Sequence, residues 1–148
     1  MHDIDKDNMY QSIWDFPENI IDAIDLSESI KLNNEYTNVD NVIVAGMGGS
    51  AVGGDVVYSL IKNEIKKPFI VIRGYDLPSW ANSSALIICS SYSGNTEETI
   101  SILEEARSLG AKVIGITTGG VLESLCKDYN FDFVGIPSGL QPRAALAF

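Results

Sequence analysis

The chain has 148 residues, of which 45% are hydrophobic and 20% charged, and a formal net charge of −10. This length fits one domain with a sizeable core and is too short for two. The acidic balance argues against nucleic acid or an anionic membrane surface as a partner, since both require clustered lysine and arginine. No apolar run reaches membrane-spanning length and no signal peptide precedes residue 40, so we expect a cytoplasmic protein.

The cysteines do not indicate a metal or redox site. Cys89 lies in an apolar stretch and Cys126 in a helical one, and their separation fits neither a zinc site nor a redox pair. We therefore predict buried free thiols, no metal and no cofactor.

The first forty residues form a compositionally distinct segment. They contain ten acidic and two basic residues, whereas the rest of the chain contains ten acidic and eight basic. Pro17 suits a first helical position, and Ile20, Ile21 and Ile24 recur at helical spacing. We predict residues 1–40 as an acidic helical extension, with this helix lying on the outside of the domain.

From residue 41 onward, short apolar runs alternate with helical stretches. The runs lie at 42–45, 69–72, 86–88, 113–116 and 131–134, and the helical stretches near 51–63, 96–109 and 121–128. This alternation is typical of a parallel sheet covered on both faces, because parallel strands need crossover connections. We predict an α/β fold, a three-layer α-β-α sandwich with a five-stranded parallel sheet. Ligands would bind at the carboxyl ends of the strands, where the strand order reverses.

A glycine-rich turn follows the first predicted strand. Residues 46–51, with the sequence GMGGSA, fit the G-x-G-x-x-A pattern of a dinucleotide site. Such a site usually has an acidic residue at the end of the second strand, whereas this chain has Arg73, which would have to bind the 2′-phosphate of NADP. A Rossmann-type NADP domain is therefore one alternative.

A serine-rich turn follows the third predicted strand. It offers hydroxyls from Ser91, Ser93 and Thr96, and it runs into a helix whose first backbone N–H groups have no intrahelical partner. Hydroxyls and a helix N-terminus together favour a phosphate. The simpler alternative is that Asn95 or Thr96 only caps the helix. A small phosphorylated ligand would give both this turn and the glycine-rich turn a role.

Four motifs in this order resemble the N-terminal sugar isomerase (SIS) domain of the bifunctional phosphoglucose/phosphomannose isomerases. They occupy residues 46–50, 91–99, 118–120 and 137–145. The resemblance extends from about residue 41 to the end and implies a flavodoxin-like SIS domain at 41–148. It also implies interconversion of glucose 6-phosphate or mannose 6-phosphate with fructose 6-phosphate, a reaction of glycolysis and gluconeogenesis, in a cleft shared by two SIS domains.

The resemblance assigns roles to particular residues. Substrate-binding residues would come from both turns: Gly49 and Ser50 beside the sugar, and Ser91, Ser93 and Thr96 around the phosphate. Arg143 would lie near the C1 and C2 oxygens and stabilise the enediolate, although without the motif it would pass for a surface arginine. Glu97 and Glu98 are better explained by the helix dipole than as a catalytic base.

The chain lacks several groups that the family uses. The resembling enzymes are roughly twice as long, and their glutamate base, histidine and lysine lie in a second SIS domain; here His2 is the only histidine. We interpret the chain as the first half of such an enzyme, able to bind sugar phosphate but with little isomerase activity alone. Alternatives are a non-catalytic sugar-phosphate-binding module or regulator, and a domain that mainly forms a homodimer.

Overall fold

A computed structural model describes residues 4–140 and 144–148. Its elements, in chain order, are α1 (Met9–Trp14), α2 (Phe16–Ser29), β1 (Asn41–Gly46), α3 (Gly48–Ile61), β2 (Phe69–Ile72), β3 (Ala85–Ser90), α4 (Glu97–Ser108), β4 (Lys112–Thr117), α5 (Gly120–Asp128) and β5 (Asp132–Gly135). Every predicted strand is present within about two residues of its expected ends. None of the helices in the described part of the chain has the length and apolar character needed to cross a bilayer.

The strands form one parallel sheet in the order β2-β1-β3-β4-β5. β1 lies between β2 and β3, because Ile43 pairs with Ile70 of β2 on one side and with Ile87 of β3 on the other. The chain leaves β1 towards β2 and returns on the opposite side of β1, so the strand order reverses between β1 and β3. The predicted parallel sheet is confirmed, and this order is the flavodoxin-like one.

Helices cover both faces of the sheet. Ile43 of β1 belongs to a buried core that also contains Ile102 and Leu103 of α4. The next residue, Val44, faces the other way, and a Cβ added at Gly54 of α3 would come within 3.0 Å of its side chain. Alternate residues of a strand point to opposite faces. The three-layer α-β-α sandwich is therefore confirmed, with α3 on one face and α4 on the other.

The N-terminal segment contains two helices, one of which the sequence did not predict. In α1, the backbone N–H groups of Met9 and Tyr10 donate to the Asp5 carboxylate at 2.7 and 2.9 Å. The predicted helix is present as α2, but none of its residues is buried. Its apolar stripe includes Ile21 and Ile24, which are 59% and 54% exposed. The described structure thus leaves this apolar stripe exposed, and the interpretation of residues 1–40 as an acidic helical extension stays a prediction.

The N-terminal segment is attached to the sheet by residues that follow α2, through hydrogen bonds to Asp132 of β5. The carboxylate, in a residue only 4% exposed, accepts hydrogen bonds from the backbone N–H groups of Asn33 and Asn34, each at 2.9 Å. It also accepts the Tyr36 hydroxyl at 2.7 Å. Burial alone would raise the pKa of Asp132, but these hydrogen bonds outweigh burial and lower the pKa to about 2. The extended residues after α2, rather than the helix itself, hold this segment to the sheet.

Candidate functional site

The carboxyl ends of β1 and β3 bring the two predicted binding turns together. Gly46 and Ser90, the last residues of these strands, pair in register. A Cβ at Gly46 would lie 3.0 Å from the Ser90 carbonyl oxygen, so glycine permits this approach. Ser50 Oγ accepts a hydrogen bond from the Tyr92 backbone N–H at 3.3 Å. A cleft of about 200 Å³, lined in part by Gly49, Ser50 and Tyr92, opens at this point.

Residues 91–96, here called the β3–α4 turn, contain three serine and threonine hydroxyls, which lie on one buried, one exposed and one half-buried residue. Ser91 is 1% exposed; its Oγ accepts the Gly94 N–H at 3.1 Å and lies 2.7 Å from Thr96 Oγ1. Ser93 is exposed, and its Oγ accepts the Asn95 N–H at 3.2 Å. The Ser91 hydroxyl therefore makes hydrogen bonds inside the turn, whereas the exposed Ser93 and the half-buried Thr96 carry the hydroxyls that a ligand would reach first.

The first turn of α4 leaves backbone donors free beside these hydroxyls. Thr96 occupies the N-cap position but makes no side-chain cap hydrogen bond. Within residues 4–140 and 144–148, the N–H groups of residues 97–99 have no hydrogen-bond acceptor. Asn95 does cap a helix, but it is α5, since its Oδ1 accepts the Val121 N–H at 3.1 Å. Neither Asn95 nor Thr96 therefore makes a side-chain cap hydrogen bond to α4.

Residues 118–119, here called the β4–α5 turn, pack against the β3–α4 turn. Gly94 has φ +70°, and a Cβ there would lie 1.8 Å from the Gly119 carbonyl oxygen. The Gly94 carbonyl accepts the Leu122 N–H at 2.9 Å. Only glycine fits this contact, because both the backbone conformation and the space exclude a side chain. The orientation of the β3–α4 turn is therefore fixed by its neighbour.

Tyr92 is a site residue to which the sequence analysis assigned no role. Its carbonyl accepts the Thr118 backbone N–H at 3.1 Å and the Thr118 hydroxyl at 2.7 Å. Its own hydroxyl donates to the Pro137 carbonyl at 3.2 Å and accepts the Leu140 N–H at 2.8 Å. In the sequence, only its position between two serines of a motif pointed to Tyr92. Its hydrogen-bond partners could not be predicted, because they lie 26 to 48 residues away in the sequence.

Other predicted site residues lie apart from this cluster or outside the described residues. Arg143 and His2 both fall outside them, so the role of Arg143 stays a prediction. Arg73 forms an ion pair with Asp55 of α3. Its guanidinium, which an NADP site would need for the 2′-phosphate, is therefore already paired with a carboxylate. Among the residues that the structure describes, no group of three or more His, Cys, Asp or Glu side chains is placed to hold a metal ion.

The rim of the site includes Tyr75, in the connection between β2 and β3. The negative charge of Glu98 is the largest influence on its hydroxyl and raises the pKa of Tyr75, and burial and Glu97 act in the same direction. This connection is tied to α4, because the Leu77 N–H donates to Glu105 Oε2 at 2.7 Å. The first turn of α4 therefore faces both the β3–α4 turn and this aromatic rim.

Comparison with known proteins places these features in a family context. Residues 35–133 match the sequence model of the SIS domain. The chain is 45% identical over 140 residues to a bifunctional phosphoglucose/phosphomannose isomerase of Caldicellulosiruptor bescii, covering 95% of this chain and 41% of the relative. A protein of the same name from Thermoplasma volcanium is 39% identical over 129 residues, covering 86% and 40%. The chain thus spans about two fifths of the length of these relatives.

A solved structure shows the same fold at low identity. The C-terminal domain of glucosamine-fructose-6-phosphate aminotransferase from Francisella tularensis superposes with a TM-score of 0.70 at 16% identity, covering 94% of this chain and 45% of that one. At this identity the likeness concerns the fold alone.

Proposed function

Because this chain belongs to the SIS domain family, we propose that the crevice between β1 and β3 binds a sugar 6-phosphate. We extend the proposal to a reaction: as part of a longer enzyme, the chain takes part in converting glucose 6-phosphate or mannose 6-phosphate to fructose 6-phosphate and back. The names of the curated relatives support this reaction. It needs no cofactor, because only protons move, one from C2 to C1 and one from O2 to O1. It would serve glycolysis or gluconeogenesis.

The observation that carries the proposal is the free N-terminus of α4. The N–H groups of residues 97–99 find no acceptor in the described structure, and the Ser93 and Thr96 hydroxyls lie in the adjoining turn. A helix N-terminus with free donors stabilises an anion through hydrogen bonds and the helix dipole. Residues 91–99 contain no lysine or arginine, so these dipoles would hold the phosphate without a cation.

The sugar would extend from this phosphate towards the glycine-rich turn. Gly49 and Ser50 line the cleft of about 200 Å³ on the β1 side. In the proposed reaction, a base removes the C2 proton of the aldose, an enediolate forms, and the proton returns to C1. Arg143 would stabilise the negative charge of that enediolate, as a preorganised donor does at an oxyanion. We place the base outside this chain, so the chain alone would bind sugar phosphate without converting it.

An exposed apolar helix face supports a partner domain. Val52, Val56 and Leu60 of α3 form a stripe along the outward side, and they are 40%, 48% and 75% exposed. A helix that is apolar on all sides is ordinarily buried. We propose that a second SIS domain covers this stripe, either from the longer enzyme or from a second copy in a homodimer. Size-exclusion chromatography with light scattering should then give a dimer for the chain and a monomer for Val56→Glu.

A thermal-shift titration with fructose 6-phosphate tests the binding site. Ligand that binds only the folded state adds about 2.7 kcal/mol at one hundred times Kd, a rise of roughly 5–11 °C for a domain of this size. Ser93→Ala should reduce the shift strongly. Ser108→Ala is the matched control, because it lies at the other end of α4, where its hydroxyl donates to the Glu104 carbonyl at 2.9 Å. An equal shift in both variants would contradict the site, and a shift with NADP alone would support the dinucleotide alternative.

A non-catalytic sugar-phosphate module is the second candidate. It is favoured by one sequence fact, that His2 is the only histidine available for ring opening or proton transfer. The two candidates differ when the chain is joined to the remaining part of the longer enzyme. Conversion of glucose 6-phosphate by that enzyme, abolished by Arg143→Ala, supports the isomerase. Binding without conversion in the same enzyme supports the module, and conversion by residues 1–148 alone would contradict the proposed division of roles.

A further inference from the structure

Turns and loops from four strand ends converge on one residue, Tyr92, through its backbone and its hydroxyl. Its backbone N–H donates to Ser50 Oγ after β1, and its carbonyl accepts from Thr118 after β4. Its hydroxyl contacts the loop after β5, donating to Pro137 and accepting from Leu140. Tyr92 itself belongs to the β3–α4 turn. It therefore connects the turn with the free helix N-terminus to the segments that follow β1, β4 and β5.

The loop after β5 depends on this tyrosine for its placement. Residue 136 is held by the sheet, since the Ile136 N–H donates to the Thr117 carbonyl at 2.9 Å. Residues 137–140 make two hydrogen bonds within the described structure, and both are made with the Tyr92 hydroxyl. Gly139 has φ +97°, so this loop also contains a backbone conformation that favours glycine. Without the hydroxyl, the segment from 137 to 140 would lose its hydrogen-bonded contacts to the rest of the crevice.

We propose that Tyr92 is a positioning residue that couples phosphate occupancy of the β3–α4 turn to the placement of residues 137–140. In the chain, two residues separate this segment from Arg143. A phosphate held by Ser93 and Thr96 restrains the backbone that directly follows Tyr92, and the rigid aromatic side chain carries that restraint to its hydroxyl. The effect is an entropic coupling, in which one bound group orders a segment that it does not touch.

The coupling rests on the proposed function, because it requires an anion on the β3–α4 turn. A purely structural role of Tyr92 makes a different prediction. In that case the hydroxyl would order residues 137–140 equally with and without ligand. The ligand dependence of order in this loop therefore separates the two roles.

Amide exchange measured by NMR on the 148-residue chain, with and without fructose 6-phosphate, tests the coupling. In the wild type, the sugar phosphate should slow exchange at residues 97–99 and also at Leu140. In Tyr92→Phe, residues 97–99 should still respond. Leu140 should exchange about fivefold faster, the factor for one ordinary neutral hydrogen bond, and should no longer respond to the ligand.

Tyr129→Phe is the matched control. It also removes one tyrosine hydroxyl hydrogen bond, to Glu104 at 2.8 Å, but at the end of α5 away from the crevice. This variant should behave as the wild type at Leu140. A Leu140 amide that still responds to the ligand in Tyr92→Phe would overturn the coupling. So would a wild type in which residues 97–99 respond and Leu140 does not. Absence of any response at residues 97–99 in the wild type would remove the proposed function itself, and the coupling with it.

Discussion

Replacing Gly94 with alanine should weaken both the fold and the proposed binding site. The new Cβ would lie 1.8 Å from the Gly119 carbonyl oxygen and 2.7 Å from Thr117 Oγ1. Carbon and oxygen approach to about 3.3 Å without a covalent bond. One turn would therefore have to move by roughly 1.5 Å. That movement breaks the 2.9 Å hydrogen bond between the Leu122 N–H and the Gly94 carbonyl.

Gly110 provides a matched control for the magnitude. It has φ +68°, almost the same as Gly94 at +70°, but a Cβ there would meet nothing closer than Ser83 Cβ at 3.9 Å. An alanine in this conformation costs about 1–2 kcal/mol at either position. At Gly94 we add about 2 kcal/mol for two disrupted hydrogen bonds, from the Leu122 N–H to the Gly94 carbonyl and from the Val121 N–H to Asn95 Oδ1. The difference corresponds to roughly 4–8 °C in Tm.

Urea unfolding followed by circular dichroism, on the wild type, Gly94→Ala and Gly110→Ala, measures this difference. Gly94→Ala should be the less stable variant by about 2 kcal/mol and should lose the thermal shift with fructose 6-phosphate. Gly110→Ala should keep that shift. Equal destabilisation of the two variants would refute the argument that the two turns are in contact at Gly94.

Three further substitutions test other parts of the structure. Asp132 has its pKa lowered from 3.8 to about 2, so it stabilises the fold above pH 3.8 and this contribution disappears as the pH falls through 2. Asp132→Asn should lose roughly 2 kcal/mol at neutral pH and the corresponding acid dependence of urea unfolding. Glu97→Gln removes a negative charge beside the proposed phosphate, so calorimetry at low salt should show fructose 6-phosphate binding about two- to fivefold more tightly. Gly115→Ala brings a Cβ within 2.7 Å of Cys126 Sγ; it should destabilise by about 1–3 kcal/mol, part of which Cys126→Ala should restore.

Each of these predictions has an outcome that contradicts it. The difference in stability between the wild type and Asp132→Asn should shrink between pH 4 and pH 2. If this difference does not change, the carboxylate is not held by its backbone donors. Weaker binding in Glu97→Gln would mean that the ligand's charge lies away from the first turn of α4. If Cys126→Ala and Gly115→Ala destabilise additively, the two positions are not in contact.

Most of the fold could be predicted from sequence because buried parallel strands are continuous apolar runs. The β2 run at 69–72 was predicted with its observed ends. The start of α3 was missed by three residues, since Gly48 and Gly49 were interpreted as a turn and they form the first helical turn instead. α2 was predicted from its isoleucine spacing, but that spacing identifies an apolar stripe without identifying what covers it.

The site could be predicted only where its residues are consecutive. The β3–α4 turn was recognisable because its hydroxyls, glycine and helix start lie within ten residues. The contacts that fix the turn are not local: Gly94 meets Gly119, and Tyr92 meets Leu140. The sequence also did not indicate that Ser91 is buried, since Ser93 in the same turn is exposed and the two residue types are identical.

A crystal structure of the chain with fructose 6-phosphate tests the central claim most directly. The phosphate should lie at the N-terminus of α4, within hydrogen-bond distance of Ser93 Oγ, Thr96 Oγ1 and the N–H groups of residues 97–99. The sugar should extend towards Gly49 and Ser50. A phosphate seated instead on the glycine-rich turn at the start of α3, with the β3–α4 turn unoccupied, would contradict it.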